Sequence, residues 1–143
     1  MQLGIIGAGN VGKALAVGWL KAGHSVIFGV RDPAAGGGEP AGVAYASVAD
    51  AAASADVVVL ATPWQAVGDA LAAAGNLGGK VVIDCTNPLR MRSDGLELEI
   101  GHTTSGGERV AELAPGASVF KTLNQTGFEN MQSAGSFTPP VVM

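Results

Sequence analysis

The chain has one cysteine, few charges and no long apolar run, and each scarcity excludes something. A lone Cys85 cannot build a disulfide framework, and no Cys/His spacing of the metal-binding kind occurs, so no metal site is expected. Cys85 closes the apolar run Val81-Val82-Ile83-Asp84-Cys85, where a thiol is buried and inert rather than nucleophilic. Charged residues make up 14% of the chain, the net charge is −4 and no basic cluster occurs, which argues against a nucleic-acid surface. Val57 to Ala61 is as long as any apolar run, far short of a membrane span. The amino terminus enters a strand pattern with no basic leader or cleavage site, so a soluble, cytoplasmic protein is expected. Neither a Ser/His/Asp set nor paired carboxylates are present at a plausible site, and no catalytic acid, base or nucleophile is assigned.

What is present is regular. A chain of 143 residues, 48% hydrophobic and rich in Ala and Gly, suits a single close-packed domain. Strand and helix patterns alternate, which predicts an α/β fold: a Rossmann-type, doubly wound, mostly parallel sheet in three αβα layers. Strands are expected over 2–6, 25–29, 42–45 (weakly), 56–61, 80–84 and 118–122. Helices are expected over 10–22, 47–53 (capped by Ser47), 64–74 and 106–113. Residues 32–42 have the composition of a mobile loop bordering the adenine end of a cofactor site. Val141-Val142-Met143 read as the start of another strand, so a longer parent chain is expected; a strand without its partner also favours pairing with a second copy, a homodimer.

The most informative stretch is Gly7-Ala8-Gly9-Asn10-Val11-Gly12, between the first strand and the first helix. Glycine is 22 of 143 residues, so three glycines at this spacing are expected by chance about half a time, and context carries the reading. A strand feeding a glycine turn that opens a helix is the phosphate-binding unit of a dinucleotide fold. Gly7 permits the tight turn, Gly9 lets a pyrophosphate approach bare backbone, and Gly12 lets helix and sheet pack closely. Free N–H groups at the helix start then face the phosphate charge. At the end of the second strand, apolar Val30 holds the position of an NAD-type acid and Arg31 follows it. A guanidinium there suits the extra phosphate of NADP, whereas Asp32, one residue on, is the NAD-type alternative.

Five blocks then occur in order: Gly4 to Gly12, Gly29-Val30-Arg31-Asp32-Pro33, Leu60-Ala61-Thr62-Pro63-Trp64, Asp84-Cys85-Thr86-Asn87-Pro88-Leu89 and Phe120-Lys121-Thr122-Leu123-Asn124. The set resembles the NADPH-dependent oxidoreductases that reduce a deazaflavin, coenzyme F420, along with their bacterial relatives and cytoplasmic ferric-reductase domains. The resemblance implies an NADP-binding domain over 1–143 lacking the family's C-terminal region. It implies NADP(H) as cofactor, with a deazaflavin or flavin as a second flat cofactor and a small-molecule hydride acceptor as partner. It places Ala61, Thr62, Pro63 and Trp64 beside the ribose and nicotinamide, and Asn87 and Asn124 on the same rim. Trp64 either stacks on the second cofactor or packs on its own helix. Thr103 to Gly107 cap a helix in preference to binding an anion. His24 falls on the opposite rim, His102 on a loop, and Lys121 suits a structural ion pair. A non-catalytic NADP(H)-sensing module is the alternative function. An imine reductase like the pyrroline-5-carboxylate reductases, which share the Gly-Ala-Gly-Asn opening but differ after the fourth strand, is the third.

Overall fold

Six short segments form one sheet; the central ones alternate their side chains between two helix-covered faces, whereas the edge strand 118–121 leaves Phe120 exposed. The computed structural model describes residues 1–36, 38, 40–101 and 103–132. In chain order its elements are β1 (Gln2–Ile6), α1 (Asn10–Lys21), β2 (Ser25–Val30), β3 (Ala44–Ser47), α2 (Val48–Ser54), β4 (Val57–Leu60), α3 (Val67–Ala74), β5 (Val81–Asp84), β6 (Leu89–Arg92), β7 (Gly95–Leu98), α4 (Gly106–Leu113), β8 (Ser118–Lys121) and α5 (Phe128–Gln132). The main sheet has the order β3-β2-β1-β4-β5-β8 and every pairing in it is parallel. The order runs outward from β1 in both directions, as in a doubly wound dinucleotide fold.

Leu3 and Ile5 of β1, Phe28 of β2 and Val59 of β4 pack with Ala14, Leu15 and Ala16 of α1 and Met131 of α5. Ile6, Val58, Leu60 and Val82 point the other way, into a layer built from α2, α3 and α4. Three layers result, and the small residues explain their closeness. A methyl group on Gly4 would lie 2.6 Å from the Ala51 carbonyl oxygen of α2, so that helix sits almost on the strand.

Several expectations need correction. The expected helix over 64–74 splits into a 3-10 turn at Trp64–Ala66 and α3, because Pro63 precedes it and α3 begins without a side-chain cap. The weak strand slides to Ala44–Ser47, where Phe28 pairs with Tyr45 and their rings lie 5.4 Å apart. Asp32 organises the start of the expected loop by accepting bonds from Ala34 and Ala35, forming a 3-10 turn at Pro33–Ala35. Two elements were not expected: the antiparallel hairpin β6–β7 and the short α5. The hairpin shows Met91, Leu96 and Leu98 to solvent and carries Arg90 and Arg92 paired with Glu97. The strand expected at 141–143 and the loop histidine His102 lie outside the described residues. Among the described residues no helix is long and apolar enough to cross a membrane.

Candidate functional site

Register brings the separated sequence blocks to one rim. Gly29, Ile6, Leu60, Asp84 and Lys121 form a single row across β2, β1, β4, β5 and β8. The residues just beyond that row are Val30 with Arg31, Gly7, Ala61 with Thr62, Cys85 with Thr86, and Thr122; Asn87 and Asn124 each stand three residues past it. The winding direction reverses between β1 and β4, the place where open α/β sheets bind ligands. Thus Gly7, Gly9, Asn10, Val11, Gly12, Val30, Arg31, Ala61, Thr62, Pro63, Trp64, Asn87 and Asn124 are gathered at the carboxyl ends of the strands.

Three glycines in the turn do three different things. Gly7 has φ +109, and a methyl group there would lie 2.5 Å from the Ala61 carbonyl oxygen, so the β1 and β4 ends touch through bare backbone. At Gly12 a methyl group would overlap the Gly7 carbonyl oxygen and press on Ile5, which fixes the approach of α1 to the sheet. Gly9 is the reverse: nothing lies within 4 Å of where its side chain would start. It also caps α1 without a side-chain hydrogen bond, and no acidic residue occupies the first turn. The initial N–H donors of a twelve-residue helix are therefore left for an anion.

The rest of the rim carries further unpartnered polar groups. The Thr62 hydroxyl, at the crevice mouth, is buried with no hydrogen-bond partner among the described residues. An orphaned buried hydroxyl is costly unless a ligand group meets it. Arg31 is exposed and forms no ion pair or hydrogen bond among the described residues, whereas Asp32 spends its Oδ1 on its own 3-10 turn. That turn weakens the case for Asp32 as a ribose-binding acid. A cleft of about 450 Å³ beside α1 is lined by Asn10, Lys13 and Phe128 among others, so Lys13 adds a cation near the helix start that sequence reasoning passed over.

Trp64 is half-buried against the α2–α4 layer, with its ring edge and Pro88 flanking Gly106. The ring thus makes the packing contact of one reading and keeps part of its surface exposed at the rim. Ser105 forms a full capping box with Glu108, which holds the Glu108 carboxyl below its usual range through the Ser105 bonds, so capping also describes 103–107.

Beneath the rim lies a buried polar network. Asp84 is fully buried; its Oδ1 accepts from the Thr86 N–H at 2.9 Å and the Thr86 hydroxyl at 2.7 Å. Lys121 Nζ stands 3.2 Å from Asp84 Oδ2 and donates to the Thr86 carbonyl oxygen. The expected structural ion pair of Lys121 is present, and its partner is this buried aspartate. Cys85 is buried beside it, and burial, reinforced by the Asp84 charge, pushes its thiol from 9.0 up to about 12. A thiol so protonated is a poor nucleophile. One turn further, Asn124 Nδ2 donates to Asn87 Oδ1 at 3.0 Å, joining the loops after β8 and β5. Leu123, φ +63, is the one non-glycine residue with positive φ among the described residues. A conformation of that kind costs about 1–3 kcal/mol and gathers at functional sites.

The parallel sheet, its winding and the open glycine turn define the class: a dinucleotide-binding domain of Rossmann type. The chain belongs to the family of NADP oxidoreductases, coenzyme F420-dependent, whose model matches residues 2–88. A candidate F420-dependent NADP reductase from Arthrobacter sp. FB24 is 37% identical, with a TM-score of 0.85 over 94% of this chain and 67% of its own. A reductive aminase from Aspergillus terreus, solved with NADPH and ethyl levulinate, is 29% identical with a TM-score of 0.63, over 84% of this chain and 39% of its own. Among curated proteins, the metalloreductase STEAP3 of Rattus norvegicus is 27% identical over 124 residues, 86% of this chain. The chain spans about a quarter of that relative's length, 24%.

Proposed function

We propose that this domain binds NADP(H) along the rim and serves hydride transfer between the nicotinamide and a flat acceptor such as a deazaflavin or flavin. The observation that carries the reading is the contrast within the glycine turn: Gly7 and Gly12 are walled in, while Gly9 and the α1 start are bare. On this reading the N–H groups of residues 10–12 hold the pyrophosphate, Val30 and Arg31 frame the 2′-phosphate, and Ala61-Thr62-Pro63 pass the ribose. Bound nicotinamide supplies the two-electron chemistry; the protein supplies alignment and exclusion of water. Hydride arrival leaves an anion on the acceptor ring, which takes its proton from solvent after transfer, so no protein acid is assigned; the buried Asp84–Lys121 pair is already committed to itself. We also place the protein in the cytoplasm.

Imine reduction is the second reading, favoured by the NADPH-bound reductive aminase among the structural relatives. It requires a proton donor for the imine nitrogen, which makes it the weaker of the two. The test is NADPH oxidation in the presence of F420, FMN, a quinone or a cyclic imine. Turnover with a flat acceptor upholds the proposal, and turnover with the imine alone replaces it. Tight NADPH binding with no turnover of any acceptor identifies a redox-sensing module instead.

A further inference from the structure

The Asn87–Asn124 contact leaves a particular set of atoms unspent. Asn124 Nδ2 donates and Asn87 Oδ1 accepts, so the Asn87 amide still has its N–H donors and Asn124 its carbonyl acceptor. Neither of these makes a hydrogen bond to another described residue, and the pair lies at the solvent-exposed surface. A donor on Asn87 and an acceptor on Asn124, carried by amides joined at 3.0 Å, match in kind the two groups of a planar amide edge, a C=O next to an N–H.

Position and rigidity agree with such a role. Adjacent strands lie about 4.8 Å apart, so Asn87, after β5, stands roughly 10 Å along the rim from the glycine turn, and Arg31 about 5 Å along it the other way. The two halves of a dinucleotide held by its pyrophosphate at Gly9 would extend in those two directions. The loops that carry the pair are fixed from below. Thr122 N–H donates to the Asp84 carbonyl at 3.1 Å, Lys121 reaches the Thr86 carbonyl, and Leu123 is held at positive φ between Lys121 and Asn124. A strained residue persists when its surroundings over-determine it, and here it sets where Asn124 stands.

We infer that Asn87 and Asn124 together read a planar amide edge at the reacting end of the site, with Asn87 donating to its carbonyl and Asn124 accepting from its N–H. This rests on the cofactor reading above. Two sources offer that chemistry: the carboxamide of the nicotinamide and the ring lactam of a flat acceptor.

Calorimetric titrations separate them, using NADP+, its 3-acetylpyridine analogue (a methyl in place of the carboxamide NH2) and 2′,5′-ADP, which stops short of the nicotinamide half. The wild-type protein should prefer NADP+ over the analogue by about 3- to 10-fold, one net hydrogen bond. Asn124→Leu should erase that preference, and Asn87→Leu should weaken NADP+ and analogue alike by a similar factor. Both variants should bind 2′,5′-ADP as the wild type does, which also shows that they are folded. If instead only F420 added to the NADP+ complex binds more weakly to the variants, the amide recognition stands and belongs to the acceptor. A preference that survives Asn124→Leu with F420 binding unchanged, or 2′,5′-ADP binding that falls as much as NADP+ binding, overturns the inference. A wild-type protein that binds none of the three nucleotides overturns the cofactor reading itself.

Discussion

Two glycines three residues apart should fail in opposite ways when each receives a methyl group. At Gly12 the added carbon overlaps the Gly7 carbonyl oxygen and lies 3.3 Å from Ile5 Cγ2. Backbone on one side and a buried strand on the other cannot yield without moving α1. Overpacking of this kind costs about 1–3 kcal/mol. Alanine's better helix propensity returns at most about 1 kcal/mol of that. A net loss of about 1–2 kcal/mol lowers the melting temperature by roughly 3–7 °C for a domain of this size. At Gly9 the methyl group meets nothing within 4 Å, and φ −80 with ψ −169 is a conformation alanine adopts freely. Gly9→Ala should therefore leave the nucleotide-free melting temperature unchanged or slightly raised, through a less flexible unfolded chain. The same methyl group stands where the pyrophosphate must approach. Losing one charge-assisted hydrogen bond there costs about 1.5–3 kcal/mol, or roughly 10- to 150-fold in affinity. Thermal unfolding by circular dichroism without nucleotide, paired with calorimetric titration of NADPH, measures both quantities. Should Gly9→Ala melt as low as Gly12→Ala, or bind NADPH as the wild type does, the division of labour within the turn is wrong.

Three further changes test the surroundings. Arg31→Ala should cost about 1.5–3 kcal/mol of NADP affinity and leave NAD affinity nearly unchanged; equal losses in paired titrations would remove Arg31 from the 2′-phosphate. Lys121→Met should destabilise the fold by about 3 kcal/mol because it strands the buried Asp84 carboxylate. Adding Asp84→Asn should recover part of that loss in denaturant titrations, and additive losses would count against the ion pair. The Cys85 thiol is protonated to about pH 12 when folded but ionises near 9.0 when unfolded, so its contribution to stability is complete below pH 9 and declines as pH rises toward 12. Cys85→Ala should flatten the alkaline loss of stability, and a wild-type-like slope in that variant would place the titrating group elsewhere.

Much of the architecture is written in local pattern. The run Leu3-Gly4-Ile5-Ile6, the glycine turn and the helix that follows declare themselves within twenty residues, because turn, strand and helix start each depend on neighbours in the chain. The start of α4 at Gly106 and the Ser47 cap of α2 are legible for the same reason. The hairpin at 89–98 was legible in principle: Leu-Arg-Met-Arg alternates and Asp94-Gly95 is a turn signal, but its apolar face meets solvent, so no core pattern reinforces it. α5, five residues long, has too few turns to show a period.

Residue types and spacing alone therefore determined the doubly wound layout, the phosphate-binding turn and the set of blocks that line the rim. Tertiary structure decided which of their atoms remain free. Trp64 is drawn into packing, Asp32 closes its own turn, Lys121 is bound to Asp84, and the Thr62 hydroxyl and one edge of the Asn87–Asn124 pair are left without partners. The reason is distance in sequence: Asn87 and Asn124 are 37 residues apart, and only the parallel pairing of β5 with β8 brings their amides within a hydrogen bond.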